Sequence, residues 1–167
     1  GSGVDDGADA LLATEGNLNN DIGVPLTLLK LRKQHRFAVI EMGMNHPGEI
    51  EYLSNMTSPD VAVINNAQRA HLGLLGTIEA VAHAKGEIFA GLRPDGVAII
   101  NADDPHAYVW RELTGSRKRV EFALSQPAAV SARYSLTVFG SHIDFQTPQG
   151  EISTQLQVPG THNVRNA

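Results

Sequence analysis

The chain alternates short, continuous apolar runs with stretches of helical period. Phe37-Ala38-Val39-Ile40 closes on Glu41, Val61-Ala62-Val63-Ile64 on Asn65-Asn66, and Val97-Ala98-Ile99-Ile100 on Asn101-Ala102-Asp103-Asp104. Runs that are apolar on both faces suit parallel strands buried between helix layers. Helices are predicted in their company, from Pro25 to about Gln34, Gly48 to Asn55, Thr77 to Leu92 and Pro105 to Leu113. Pro25 suits a first helical position, and Arg93-Pro94-Asp95-Gly96 makes a turn that closes the third helix. This βαβ rhythm predicts an α/β fold: an open, mostly parallel, doubly wound sheet with flanking helices.

From about Val120 the pattern changes. Ser135–Phe139, His142–Phe145 and Ile152–Leu156 partly alternate, separated by Gly140-Ser141 and Pro148-Gln149-Gly150. Connections of this kind predict a small antiparallel β-meander. The expected organisation is an α/β part over residues 4–119, an antiparallel β subdomain over 120–158 and a closing segment over 159–167. Gly1-Ser2-Gly3 reads as a cloning scar, with the natural protein expected to begin upstream.

Composition narrows the function classes. With 13 Lys and Arg against 18 Asp and Glu, the net charge of −5 attracts neither nucleic acid nor an anionic membrane. Cysteine is absent, which removes disulfides, thiolate zinc sites and Cys nucleophiles together. No apolar run approaches the roughly 18–20 residues of a membrane helix. None of the four lysines follows a glycine, so the chain carries no G-x-x-x-x-G-K-[ST] phosphate loop, and G-x-S-x-G and H-E-x-x-H are also missing.

Ligands of open α/β sheets bind beyond the carboxyl ends of the strands. There the three apolar runs empty into Glu41 with Met44-Asn45-His46, Asn65-Asn66 with His71, and Asn101 with Asp103-Asp104. Any one strand must exit into a polar loop. Three strands converging on carboxylate, amide and imidazole point further, to a divalent cation such as Mg²⁺. Lys85 falls in the middle of the apolar stripe formed by Ile78, Val81, Ala82, Ile88, Phe89 and Leu92. An ammonium there is paired, snorkels to an edge, or is desolvated enough to be neutral and nucleophilic. A neutral lysine can take up carbon dioxide, and the resulting carbamate is an anionic metal ligand. The loop from Gly16 to Pro25 carries Asn17, Asn19, Asn20 and Asp21 ahead of a helix. One such side chain suffices as a cap, and the surplus could bond a polar ligand.

Gly16-Asn17-Leu18-Asn19-Asn20-Asp21-Ile22-Gly23-Val24-Pro25, the stretch from Glu41 to Ile50, Ala84-Lys85-Gly86-Glu87-Ile88-Phe89, Asn101-Ala102-Asp103-Asp104 and the tail from Val158 to Ala167 together resemble the Mur ligases. The resemblance spans roughly Glu15 to Ala167. It implies the central ATPase domain of a cytoplasmic, monomeric peptidoglycan-precursor ligase. Such an enzyme uses ATP and Mg²⁺ to join D-alanyl-D-alanine to UDP-N-acetylmuramoyl-tripeptide through an acyl phosphate. On this resemblance Lys85 matches the carbamylated lysine, and Glu41 and His71 the magnesium-binding carboxylate and imidazole. His162, Asn163 and Asn166 match the adenine-site segment, while Asn17, Asn19 and Asn20 match a loop facing the muramoyl-peptide.

The resemblance also places the family's phosphate loop and UDP-binding domain upstream of this chain, and the chain's end inside the adenine-site segment. A fragment is therefore expected: inactive alone, weak toward ATP–Mg²⁺, and frayed or differently docked over His162–Ala167. The alternatives are another Mur-like amide ligase, of diaminopimelate- or lysine-adding, folylpolyglutamate or cyanophycin synthetase type, or a non-catalytic domain that has lost the phosphate loop.

Overall fold

A computed structural model describes residues 10–67 and 75–166. The elements follow as β1 (Leu11–Ala13), α1 (Gly23–Leu28), β2 (Phe37–Val39), α2 (Glu49–Thr57), β3 (Val61–Ile64), α3 (Ile78–Gly86), β4 (Val97–Asn101), α4 (Ala107–Thr114), β5 (Lys118–Ala123), β6 (Val130–Leu136), β7 (Ser141–Thr147), β8 (Gly150–Leu156) and α5 (Thr161–Asn166).

The fold is α/β, as the apolar rhythm predicts. β1 and β2 form a two-stranded parallel sheet, and β3 to β8 form a six-stranded sheet in sequential order. Pairing is parallel from β3 through β6 and antiparallel from β6 through β8. The expected meander is therefore continuous with the parallel sheet, and residue 120 lies inside β5, paired to Ile99 of β4. β5 and β6 touch only through Phe122–Val130 and Ala123–Ser131, the end of one strand against the start of the next. That stagger lets a short loop join two parallel strands that would otherwise need a long crossover.

Burial corrects the expectation that the apolar runs are covered on both faces. Phe37 and Val39 of β2 and Val61 and Val63 of β3 are exposed, whereas Ala98 and Ile100 of β4 are fully buried. Among the described residues β2 pairs only with β1 and β3 only with β4, so both stand at the edges of the sheets described. The main core lies where α3 and α4 cover β3 and β4, around Phe89, Ile100 and Trp110. Trp110 is fully buried, and its indole N–H donates to Ala82 O at 2.9 Å.

Three element boundaries also differ from the sequence expectation. α1 stops at Leu28 rather than Gln34, because the chain tightens into i→i+3 bonds from Lys30 N to Thr27 O and Leu31 N to Leu28 O. The Arg32 guanidinium then takes the carbonyls of Leu29 and Leu31. The helix expected over Thr77–Leu92 stays α-helical only to Gly86 and continues as a 3₁₀ turn over Glu87–Phe89. The first meander strand begins five residues earlier than expected and ends three residues earlier. Thr137–Gly140 is a turn closed by Thr137 N on Gly140 O, and its apolar tip, Val138 and Phe139, is exposed.

Candidate functional site

Glu41 follows β2 on a loop held at both ends. Its backbone N–H donates to Thr14 Oγ1 at 2.9 Å, and its carboxylate receives the Asn19 amide at 2.7 Å. Further along, Glu49 accepts the backbone N–H groups of Asn45 and His46, which hold its carboxyl below the usual range. Glu87 accepts those of Gly48 and Glu51 and so covers the start of α2.

The segment leaving β3 is fastened from two sides. Asp104, with 8% of its side chain exposed, accepts Ala67 N–H at 2.9 Å and His106 N–H at 2.8 Å. The Asn101 amide donates to Asn65 O. Asp103 takes the N–H groups of Leu124 and Ser125 and fixes the loop between β5 and β6.

Lys85 reaches this segment from α3. Its ammonium donates to Asn66 O at 2.6 Å. Burial pushes its pKa down, and the nearby Asp104 carboxylate opposes that shift. Lys85, in the middle of the apolar stripe, is thus a half-buried lysine whose hydrogen-bond acceptor is a neutral carbonyl. Glu41, Asn19, Asn65, Asn66 and Lys85 line one cavity of about 250 Å³. His71, the imidazole expected beside them, lies outside the described residues.

A second cavity, of about 390 Å³, is lined by Asn65, Asn101, Asp104, His106, His162 and Asn166. The tail is not frayed over its described part. It forms α5, with Val164 buried and Asn166 Oδ1 accepting from Asn65 Nδ2. The apolar anchor Val164 supplies the packing that the fraying argument left out. Of the three expected tail residues, His162 and Asn166 face this cavity, while Asn163 donates back to Pro159 O. Asn65 Oδ1 is a buried acceptor with no hydrogen-bond partner among the described residues. A third, mainly apolar cavity of about 290 Å³ reaches from Phe122 and Phe145 to Val164 and Asn166.

In the Asn-rich loop, Asn20 Oδ1 accepts the N–H groups of Ile22 and Gly23 at the start of α1, and Asn19 serves Glu41. Among the described residues no three His, Asp or Glu side chains gather into a metal cage. Mg²⁺ does not need one, because it is commonly held by one or two carboxylates with waters and substrate phosphates. Glu41, an oriented hard-oxygen donor at a cavity mouth, fits that chemistry. An unmodified Lys85 ammonium does not.

Strand exits that bring carboxylate and amide, met by a lysine from a helix, around adjoining cavities define a ligand-handling α/β domain. The chain belongs to the Mur ligase family, matching the Mur ligase middle domain over residues 4–167. It is 45% identical over 161 residues to the UDP-N-acetylmuramoyl-tripeptide–D-alanyl-D-alanine ligase of Escherichia coli (strain K12), a match covering 93% of this chain and 35% of that protein. A crystal structure of MurF from Acinetobacter baumannii is similar with TM-score 0.89 and 41% identity, over 95% of this chain and 35% of the other. MurF ligase from Thermotoga maritima in complex with ADP is similar with TM-score 0.80 and 25% identity, over 95% of this chain and 37% of the other. The chain thus spans 35% of the length of its Escherichia coli relative.

Proposed function

We propose that this chain is the central segment of an ATP-dependent ligase that adds D-alanyl-D-alanine to UDP-N-acetylmuramoyl-tripeptide in the cytoplasm, during peptidoglycan-precursor synthesis. The observation that carries this reading is the 45% identity, over 93% of the chain, to a ligase named for that reaction. The other amide-ligase types and a non-catalytic domain are not favoured beside it.

In the proposed reaction a peptide carboxylate oxygen attacks the γ-phosphorus of ATP, giving an acyl phosphate and ADP. The amine of D-alanyl-D-alanine then attacks the acyl carbon. The tetrahedral intermediate collapses with loss of phosphate and a proton, leaving the amide. Mg²⁺, when bound, would neutralise phosphate charge; Glu41 and His71 would hold it, with Lys85 as its carbamate. Loss of a proton from Lys85 precedes that modification, and burial of its ammonium favours the loss. His162, Asn163 and Asn166 would receive the adenine, a role in keeping with the ADP of the Thermotoga maritima relative. Asn17, Asn19 and Asn20 would face the muramoyl-peptide side.

The test is a complete ligase carrying this segment, given ATP, Mg²⁺, UDP-N-acetylmuramoyl-tripeptide and D-alanyl-D-alanine. UDP-N-acetylmuramoyl-pentapeptide with stoichiometric phosphate is expected by mass spectrometry, and Lys85→Ala abolishes it. A product formed with a single amino acid but not with the dipeptide would overturn the assignment. The chain by itself, which carries no phosphate-loop motif, is expected to give no micromolar ATP binding by calorimetry.

A further inference from the structure

The Asn-rich loop and the exit of β2 meet through a small set of contacts that no helix cap requires. Asn19 donates its side-chain amide to Glu41 Oε1 at 2.7 Å, and its backbone carbonyl accepts Gly43 N–H at 2.7 Å. A carboxylate only accepts, so the amide's donor end must face it. Gly43 is what lets the side chain lie there. A Cβ at that position would stand 2.9 Å from both Cγ and Oδ1 of Asn19, closer than such atoms approach. Meanwhile the Glu41 backbone is pinned separately by Thr14 Oγ1. One residue therefore fixes where the carboxylate starts, and another fixes where it points.

We infer that Asn19, seated against Gly43, is a positioning residue that aims the Glu41 carboxylate into the cavity it shares with Lys85. The choice of an amide has a physical reason. A lysine or arginine at position 19 would hold the carboxylate equally well but would cancel the charge a cation needs. An amide orients it and leaves it negative. Orientation matters because Mg²⁺ takes few protein ligands in a demanding geometry. This inference rests on the reading of Glu41 as a cation-holding carboxylate, and it gives Asn19 a task in addition to facing the muramoyl-peptide side.

The experiment uses a complete ligase carrying this segment, with Mn²⁺ as the probe, titrated by electron paramagnetic resonance in the presence of a non-hydrolysable ATP analogue. Asn19→Ala and Gly43→Ala are compared with Glu41→Gln, and each variant's melting temperature is recorded. Gly43 lies outside the left-handed region, so its alanine variant acts through the added methyl. The two positioning variants are expected to weaken Mn²⁺ binding about tenfold, the lower end for loss of a partner that orients a metal ligand. Mn²⁺ affinity should fall by a larger factor than any rise in KM for the UDP-precursor, and Glu41→Gln should weaken Mn²⁺ further. If Glu41→Gln loses Mn²⁺ while Asn19→Ala retains it, the inference is overturned and the reading of Glu41 stands. A raised precursor KM with unchanged Mn²⁺ affinity overturns it in favour of a substrate contact. Unchanged Mn²⁺ affinity in Glu41→Gln removes the underlying reading and the inference with it.

Discussion

Replacing Asp104 by Asn tests whether the β3 exit is held by charge. The carboxylate uses one oxygen for Ala67 N–H and the other for His106 N–H, at 2.9 and 2.8 Å. An amide of the same shape keeps one acceptor and turns an N–H₂ group toward the other donor. Ala67 is 4% exposed, so water cannot readily take over that bond. A hydrogen bond to a charged group contributes about 1.5–3 kcal/mol, and a buried donor left unpaired costs a similar amount, so a loss of about 2 kcal/mol is expected. For a chain of this size that is a melting temperature lower by about 4–8 °C. Circular dichroism melts and urea titrations of the chain measure it. The same variant removes the charge that opposes desolvation of Lys85, so the Lys85 pKa, followed by ¹³C NMR of labelled lysine, should fall further below its ordinary value. A stability loss below about 0.5 kcal/mol, the scatter of ordinary surface substitutions, together with an unmoved Lys85, would refute this account.

Two other perturbations test the scaffold. Gly91→Ala would place a methyl carbon 2.1 Å from the Ser54 carbonyl carbon, against backbone rather than a movable side chain. The urea midpoint should fall by the equivalent of about 3 kcal/mol, the upper end of the overpacking range. Glu121 is held below the usual carboxyl range, first by its hydrogen bonds from Arg111 and then by the charges of Arg111 and Arg119. Its stabilisation is present above the unfolded-state carboxyl pKa and is lost as pH falls through the depressed folded value. Glu121→Gln should therefore flatten the acid limb of a melting-temperature profile, and an unchanged limb would contradict the pairing.

The strands that were legible in the sequence are β2, β3 and β4, whose apolar runs are unbroken, and β7 and β8, whose partial alternation between turn residues predicts the antiparallel meander. β1 has three residues, too few to show a period, and exists through its parallel register with β2. β5 begins Lys118-Arg119 and carries Glu121, charges that obscure an apolar run until Arg111, on α4, is placed beside Glu121. Which faces are covered was not legible at all, because it depends on neighbours rather than on the run itself. At the site, the carboxyl-end rule and the misplaced charge of Lys85 named residues of two strand exits and a helix that line one cavity. The Asn-rich loop shows where such reasoning ends. Asn19 and Asn20 are the same residue type at adjacent positions. One helps start α1 locally, and the other bonds a carboxylate 22 residues away. Composition and spacing carry no mark of that difference.

The acidic residues of the site region divide by what they bind, and the division bears on chemistry. Asp103, Asp104, Glu49 and Glu87 all accept backbone N–H groups and hold the loops at the carboxyl ends of the strands. Their negative charge is balanced by oriented peptide dipoles, so these four belong to the framework. Glu41 is different in kind: its carboxylate is met by the side chain of Asn19, on a loop that can be altered without removing a backbone bond. An acid fixed by the framework is a poor place for a cation to enter, since the ion must compete with amides that also maintain the fold. An acid oriented by a single neutral side chain at a cavity mouth has no such conflict. The arrangement therefore separates holding the loops from offering a negative charge, and on the proposed reading of Glu41 as a cation-holding carboxylate, metal affinity should depend on it most steeply.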